Sequence, residues 1–336
     1  MTWYRTRTLG SILDTAAKKF GNRKALIFNN QRWTYQEFNV ETNRVAKSLL
    51  ALGVENQEHV AVWMTNRPEW LFLMFAIARI GACIVPLNTR YRTDDVAYAV
   101  AQSRSSTVIS LAESGPVNYQ QMLSQTIKEI DVMPQGTLSI EGYPDLKRLV
   151  ILGDSSIKGA INWKEFLEGG NAVNDDTLLK RVNSVDPDGR MMICYTSGTT
   201  GSPKGVVHSH IPIRNTSERA QVLGLTCQDV HMNYLPLFHI YAYSEISMIC
   251  VLTGAAQVLT ETFNAGPVLD LAEKEKATIL HGFEAHWLDL LNEQKKKPRT
   301  LCVRLGTLPS GVESTVPIAD KVQDTFCPTI SGFGMS

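Results

Sequence analysis

The sequence predicts an α/β fold in which short buried strands alternate with amphipathic helices. Short apolar runs recur along the chain, and many are followed by segments with apolar residues at helical spacing, three of which end at glycine. This alternation is typical of a parallel sheet covered by helices. A chain of 336 residues with 44% hydrophobic content is also long enough to bury a large core without disulfides or metals.

The first half of the chain carries the alternation clearly. An apolar stripe runs through residues 9–20 at helical spacing, and Gly21 ends it. We predict strands at residues 25–28, 32–35, 59–64, 83–86 and 149–152, and helices at 35–52 and 68–81. Residues 113–144 show no regular pattern and indicate a peripheral excursion. The polar residues 171–189 indicate a connector, so we predict an N-terminal α/β lobe at 1–185 and a second α/β lobe at 186–336.

The second half alternates in the same way. We predict strands at residues 191–195, 231–235, 257–259, 278–281, 302–307 and 329–330, and helices at 244–252, 267–276, 285–294 and 316–326. Ligands of open α/β sheets bind beyond the carboxyl ends of the strands. Residues that follow these strands are therefore the first candidates for a site.

Charge and cysteine content narrow the class of protein. Lys+Arg and Asp+Glu both number 33, so the balance does not favour nucleic acid or an anionic membrane surface as a partner. The six cysteines form no C-x-x-C pair and indicate reduced core residues rather than a zinc site. The longest apolar stretch, residues 70–78, is too short to span a bilayer, and the N-terminus lacks the apolar h-region that a secretory signal requires. A transit peptide is the alternative interpretation, which the apolar stripe of the first helix disfavours. We therefore expect a cytoplasmic protein.

A segment rich in glycine and hydroxyl groups is the strongest chemical signal. It reads Tyr195-Thr196-Ser197-Gly198-Thr199-Thr200-Gly201-Ser202-Pro203-Lys204-Gly205 and follows a predicted strand. Glycines let the backbone approach an anion closely, hydroxyls add donors and a lysine adds positive charge, which together suit a triphosphate. The spacing is not that of a Walker A loop, which requires G-x-x-x-x-G-K-[ST]. A polar surface turn is the alternative interpretation.

Several segments together resemble the adenylate-forming superfamily, which includes acyl-CoA synthetases, aryl-CoA ligases, firefly-type luciferases and peptide-synthetase adenylation domains. Residues 196–205 resemble its phosphate-loop motif. The other segments that resemble the superfamily are Arg32-Trp33-Thr34-Tyr35, Gly53-Val54, Gly81-Ala82-Cys83-Ile84-Val85-Pro86-Leu87-Asn88, Pro236-Leu237-Phe238-His239 and Gly332-Phe333-Gly334-Met335-Ser336. The resemblance implies the large N-terminal domain of this fold, with stacked mixed β-sheets flanked by helices and the small C-terminal domain absent.

The resemblance also implies a reaction and its binding residues. ATP, with Mg²⁺, would activate a fatty or aryl acid as its acyl-adenylate, and coenzyme A would then take the acyl group. The residues implied for the ATP phosphates are Thr196, Ser197, Gly198, Thr199, Thr200, Gly201 and Lys204. Those implied for adenine and AMP are Ser310, Gly311, Gly332, Phe333, Gly334, Met335 and Ser336, and those for the acyl pocket are His239, Tyr241 and Tyr243. Metal ligands are not identified in this chain.

Some of these residues have a structural alternative. A lone histidine is most often a satisfied core or surface residue, and packing in the core is an alternative for Tyr241 and Tyr243. For His208 and His210 we expect roles at a strand end or a helix cap. Two positions depart from the superfamily's pattern: Ala242 stands where glycine is usual, and residues 310–314 lack a second glycine and a proline.

The resemblance covers only the first part of such a ligase. A magnesium-binding glutamate, a ribose-binding aspartate and the C-terminal domain would follow Ser336. We therefore expect a truncated or split ligase with weak activity, completed by a separate C-terminal domain or present as a homodimer. The alternative is a non-catalytic remnant or regulatory module that retains nucleotide binding.

Overall fold

Strands from both halves of the chain assemble into two seven-stranded sheets. The computed structural model describes residues 7–135, 138–196, 203–309 and 315–332. The elements of the first half are α1 (Leu9–Phe20), β1 (Lys24–Phe28), β2 (Gln31–Thr34), α2 (Tyr35–Ala51), β3 (His59–Trp63), α3 (Pro68–Arg79), β4 (Cys83–Pro86), α4 (Thr93–Gln102), β5 (Thr107–Leu111), β6 (Glu113–Ser114), β7 (Val117–Asn118), α5 (Tyr119–Thr126), β8 (Arg148–Leu152), β9 (Ile161–Asn162), α6 (Trp163–Gly169) and α7 (Asp175–Asn183).

The second half continues the alternation. Its elements are β10 (Met192–Thr196), β11 (Lys204–His208), α8 (Pro212–Val222), β12 (Val230–Asn233), a π-helix (Tyr241–Met248), α9 (Ile249–Thr253), β13 (Ala256–Leu259), α10 (Ala265–Lys274), β14 (Ile279–His281), α11 (Glu284–Lys296), β15 (Leu305–Thr307), α12 (Val316–Thr325) and β16 (Thr329–Ile330). Short 3₁₀ helices occupy Lys128–Asp131 and Gly170–Ala172.

Both sheets are parallel except at one edge. The first has the order β16-β15-β14-β12-β13-β1-β2, and only β2 runs antiparallel to its neighbour. The second has the order β11-β10-β4-β3-β5-β8-β9, and only β11 runs antiparallel. This arrangement confirms the predicted α/β class with mixed sheets.

Helix α3 is the centre of the core. Pro68 supplies its first turn, and all residues of the helix except Glu69 are buried. A helix that is apolar on all sides must be covered on all sides. Helices α1 and α2 pack on α3, and the ring of Phe75 meets that of Phe38 at 5.5 Å, edge to face. Trp70 reaches the other way, to the ring of Tyr243 in the π-helix, at 6.0 Å.

The structure corrects four sequence predictions. The connector at 171–189 contains α7, whose only buried residue is Leu178, so it has no apolar stripe to reveal it. The strand predicted at 302–307 begins at Leu305, and Cys302 before it is exposed rather than in the core. The helix predicted at 244–252 begins earlier, as the π-helix. Residues 113–144 include the separate β6–β7 pair and α5.

The predicted boundary at residue 185 does not coincide with a boundary between the sheets. Strand β13 pairs with β1 in the first sheet, and β10 pairs with β4 in the second. Each sheet therefore takes strands from both sides of residue 185. The division into two lobes, 1–185 and 186–336, stays a prediction.

Candidate active site

The base of the predicted phosphate loop is a β-hairpin at the edge of the second sheet. Thr196, the last residue of β10, lies opposite Lys204, the first residue of β11, and its hydroxyl is 3.5 Å from the Lys204 carbonyl oxygen. The phenol of Tyr98 donates to the Pro203 carbonyl at 3.0 Å. Lys204 is exposed and forms no ion pair with any described residue. The hairpin thus has the Thr196 hydroxyl at one end of the loop and the Lys204 ammonium group at the other.

The Pro236–His239 segment lies against this hairpin. Phe238 and His239 line a cavity of about 310 Å³ together with Thr196 and Pro203. We call this space the loop cavity. The base of the hydroxyl-rich loop and the Pro-Leu-Phe-His segment, which are separated in sequence, therefore line the same cavity. Burial lowers the pKa of His239, so its imidazole is neutral near pH 7.

Asn66 fixes the path of that segment. It follows β3, is 5% exposed, and its amide donates to the carbonyls of Leu235 at 2.9 Å and Thr260 at 3.2 Å. Its carbonyl oxygen accepts from the Leu237 backbone N–H at 2.9 Å. One buried side chain just beyond β3 of the second sheet thus holds two strand-end segments of the first. The sequence analysis did not single out Asn66, although its position after a buried strand is a usable signal.

Two larger cavities continue from the loop cavity, and each shares lining residues with the one before it. Phe238 and His239 also line a cavity of about 650 Å³, the middle cavity, whose lining includes Glu261 and Phe283. Tyr241 lines the middle cavity and a third one of about 520 Å³, the outer cavity. Much of the lining of the loop and middle cavities lies just beyond the carboxyl ends of strands, as expected for a ligand site of an open α/β sheet, whereas the outer cavity lies between α8, the π-helix and strands β14–β16.

The inner wall of the outer cavity carries a chain of hydrogen bonds. The Tyr241 phenol donates to the Thr307 hydroxyl at 2.5 Å, and that hydroxyl lies 3.0 Å from Nδ1 of His281. His281 Nε2 is 3.1 Å from Nδ1 of His231, and the two rings stack with 17° between their planes. Burial lowers the pKa of His231 to about 4 and that of His281 well below its usual value, so both rings are neutral near pH 7.

An ion pair lies on another wall of the outer cavity. Arg219 of α8 contacts Glu245 of the π-helix, with 3.0 Å between Nε and Oε2. Burial raises the pKa of Glu245, and the Arg219 guanidinium opposes that rise. The remaining lining includes the apolar side chains of Leu223, Ile249, Ile279 and Leu305. The cavity therefore combines apolar sides with a few fixed polar groups, which is typical of small-molecule sites.

The predicted site residues are placed as follows. Thr196 and Lys204 flank the loop, and His239 and Tyr241 line cavities. Tyr243 is fully buried against Trp70, and Gly332 lines the outer cavity. The predicted site residues that lie outside the described residues are Ser197, Gly198, Thr199, Thr200, Gly201, Ser310, Gly311, Phe333, Gly334, Met335 and Ser336. These assignments stay predictions.

The two histidines after the loop have the structural roles that we expected. His208 is the last residue of β11. Nδ1 of His210 accepts the backbone N–H of Leu9, the first residue of α1, at 3.0 Å. That bond satisfies one of the free donors at the start of the helix.

Comparison with known proteins defines the class. A sequence profile described as AMP-binding enzyme matches residues 13–336. YngI of Bacillus subtilis (strain 168), named as a candidate acyl-CoA synthetase, is 33% identical over 318 residues, which are 94% of this chain and 57% of YngI. The mitochondrial medium-chain acyl-CoA ligase ACSF2 of Rattus norvegicus is 27% identical over 299 residues, 85% of this chain and 48% of ACSF2.

Solved structures show the same fold. The anthranilate CoA ligase AuaEII in complex with anthranoyl-AMP aligns with a TM-score of 0.83 and 22% identity, over 98% of this chain and 60% of AuaEII. The inhibitor-bound N-terminal domain of FACL13 from Mycobacterium tuberculosis aligns with a TM-score of 0.74 and 23% identity, over 98% of this chain and 76% of that domain.

The chain belongs to the AMP-binding enzyme family. Membership confirms the resemblance to acyl-CoA synthetases and ligases that the motifs indicated. The chain spans about half the length of the curated relatives it matches. Among the described helices, none has the length and apolar character needed to cross a membrane.

Proposed function

We propose that this chain forms the ATP- and acid-binding part of an AMP-forming acid–CoA ligase that acts on fatty or aryl acids. A carboxylate oxygen of the acid attacks the α-phosphorus of ATP, the bond from that phosphorus to the bridging oxygen breaks, and pyrophosphate leaves with its electron pair. The thiolate of coenzyme A then attacks the acyl carbon and AMP leaves. One observation carries the proposal: the base of the hydroxyl-rich loop and His239 line the same cavity.

Positioning and charge stabilisation are the tasks that this chain's residues would perform. Lys204 and the hydroxyls of 196–200 would hold the β- and γ-phosphates and stabilise the leaving pyrophosphate. Phe333 would stack on adenine, and Ser310, Gly311, Gly332, Gly334, Met335 and Ser336 would surround the AMP moiety. His239 would stand at the mouth of the acid site and Tyr241 and Tyr243 behind it. Such alignment lowers the barrier without a covalent intermediate on the protein.

Magnesium would enter with ATP. Mg²⁺ prefers oxygen ligands, retains several waters and is usually held by one or two carboxylates together with substrate phosphates. The part of the chain that the structure describes contains no group of three or more His, Cys, Asp or Glu residues that could hold a metal by itself. The oxygen donors at the hairpin, such as the Thr196 hydroxyl, fit an ion whose other ligands are phosphate oxygens and water.

Calorimetric titration of the chain with Mg-ATP tests the phosphate assignment. We expect Lys204→Ala to weaken ATP binding about 10- to 100-fold, because a charge-assisted hydrogen bond contributes about 1.5–3 kcal/mol. Thr200→Ala should weaken it less. The matched control is Lys164→Ala, an exposed lysine on α6 whose nearest carboxylate is 3.9 Å away on Glu168. Equal affinities of the Lys204 and control variants would remove the loop from the proposal.

A panel of acids tests the reaction itself. We expect ATP–pyrophosphate exchange by the polypeptide that carries this chain with at least one fatty or aryl acid. Exchange that fails for every acid, with ATP binding retained, would instead support a nucleotide-binding module without ligase activity.

A further inference from the structure

The outer cavity has an unusual wall for an apolar acyl chain. Tyr241, Thr307 and His281 place a phenol, a hydroxyl and an imidazole side by side on it, within 3.0 Å of one another along the hydrogen-bonded chain. A wall that contacts only an alkyl chain is usually apolar, because a polar group that is buried without a hydrogen-bond partner costs free energy. These three are held in place by one another and by His231 behind them.

Counting protons shows what the wall can offer a ligand. If His231 donates to His281, then His281 donates to Thr307, and the Thr307 proton is left to point elsewhere. If the order is reversed, Thr307 donates to His281 and its proton is used. In both cases no described residue donates to the phenol oxygen of Tyr241, which can still accept. The wall can thus take at least one donor from a ligand, and in one tautomer it can also give one.

Charge on the same cavity disfavours a charged substituent. Arg219 pairs with Glu245 at 3.0 Å, Glu218 on the same cavity pairs with Arg214 at 3.6 Å, and His281 and His231 are neutral near pH 7. A ligand charge brought into this space would need a partner that the ion pair has used, and an unpaired buried charge is costly. A neutral hydroxyl both donates and accepts, which matches the wall without that cost.

We propose that the outer cavity selects carboxylic acids whose acyl or aryl group bears a hydroxyl, and that Thr307 and Tyr241 bind that hydroxyl. The inference rests on the proposed function, because it assigns the acid to this cavity. Thr307 and Tyr241 are then specificity-determining residues, and His281 and His231 are positioning residues that hold the Thr307 hydroxyl.

Binding of free acids to the chain tests the inference directly. The probes are benzoate with 2-, 3- and 4-hydroxybenzoate, and octanoate with 8-hydroxyoctanoate, each titrated by ligand-observed NMR. We expect at least one hydroxylated acid to bind about tenfold more tightly than its parent, as one buried hydrogen bond allows. If no hydroxylated acid binds more tightly than its parent, the inference is wrong.

Matched variants locate the effect. In Thr307→Val and in Tyr241→Phe, the ratio of the two dissociation constants should fall close to one, because each variant removes a hydroxyl and keeps the shape of the side chain. Tyr143→Phe is the control: its phenol lies 3.5 Å from the Thr126 carbonyl, in a different part of the fold, and the ratio should not change. A ratio that survives both Thr307→Val and Tyr241→Phe would overturn the assignment.

The two proposals can fail separately. Circular dichroism establishes that each variant is folded, and if one variant does not fold, the other decides. A hydroxyl preference in binding without pyrophosphate exchange for any acid would contradict the ligase activity and leave the cavity assignment standing. Exchange with acids that shows no hydroxyl preference would support the ligase and overturn the cavity assignment.

Discussion

Single polar side chains in the core set the geometry of this site. Asn66 is the clearest case, because one amide satisfies backbone groups of three residues that follow two different strands. A buried amide that loses its side chain leaves those backbone groups without partners, and each buried unsatisfied group costs about 1–3 kcal/mol. The site depends on this residue, which also lines the middle cavity.

Replacing Asn66 should therefore destabilise the fold and loosen the site. We expect Asn66→Ala to lower the free energy of unfolding by about 2–4 kcal/mol, measured by urea denaturation. Asn171→Ala, at an exposed position beyond α6, serves as the control and should change it by less than about 0.5 kcal/mol. Equal stability of the two variants would show that water replaces the Asn66 amide at little cost.

Between elements, α1 and α3 make a close contact in the core. A Cβ added to Gly10 in α1 would lie 2.4 Å from Cα of Arg79 in α3. The Arg79 guanidinium in turn donates to the Gly10 carbonyl at 3.0 Å and lies 3.1 Å from a carboxylate oxygen of Asp14. The lack of a side chain at Gly10 lets the two backbones approach and brings the arginine into a ring of oxygen atoms.

Two glycine-to-alanine substitutions test this contact. Gly10→Ala should cost at least about 1–3 kcal/mol, because the helices must move apart. Gly169→Ala, at a helical position with nothing within 4 Å of the added Cβ, should be neutral or stabilise by about 0.4–1 kcal/mol. Thermal denaturation of the two variants compares them directly, and a tolerated Gly10→Ala would mean that α1 can shift without loss.

At the scale of the whole molecule, the sheets join the two halves of the chain. Strands β1 and β2 complete the first sheet next to β13, and β10 and β11 complete the second next to β4. Cutting the chain at residue 185 would expose the edge of both sheets and remove strands from each. Unpaired sheet edges with apolar faces are prone to aggregation.

Fragments therefore test the predicted two-lobe division. We expect residues 1–185 and 186–336, produced separately, to be unfolded or aggregated, and to give a cooperative unfolding transition only in the joined chain. Circular dichroism and size-exclusion chromatography of each fragment measure this. A fragment that unfolds cooperatively by itself would show that the lobe is an autonomous unit.

Buried histidines make the stability of the molecule depend on pH. Burial lowers the pKa of both His210 and His231 to about 4, while a histidine in the unfolded chain titrates near 6.5. Between these values the unfolded chain binds protons that the folded chain does not. The stability from the neutral rings is thus complete above pH 6.5 and is lost as the pH falls toward 4.

His210→Gln should remove one histidine's share of that dependence. The amide oxygen can still accept the Leu9 N–H, but it does not titrate. We expect the free energy of unfolding, measured by urea denaturation at pH 7.5, 6 and 5, to depend less steeply on pH in the variant. Near pH 5 the slope should be smaller by about 1 kcal/mol per pH unit. An unchanged slope would mean that His210 is protonated in the folded state at pH 5.

Local patterns explain which parts of the fold and site the sequence predicts. Strands such as β4 and helices such as α2 are recovered because apolar periodicity and caps are local features: the Thr34 hydroxyl accepts from Glu37 N–H at 3.2 Å at the start of α2. Helix α7 is missed because it buries one residue. The motif residues at the site are predicted, whereas Asn66 and Thr307 are not, because their partners are contributed by segments distant in sequence.

The shared walls of the three cavities constrain how relatives of this protein can diverge. Tyr241 belongs to two cavities and His239 to two, so a replacement at either position alters neighbouring chambers at once. A replacement at Leu223 alters the outer cavity alone. A lineage that acquires a new substrate should therefore change first at positions such as Leu223, and change at Tyr241 only together with compensating substitutions across the wall.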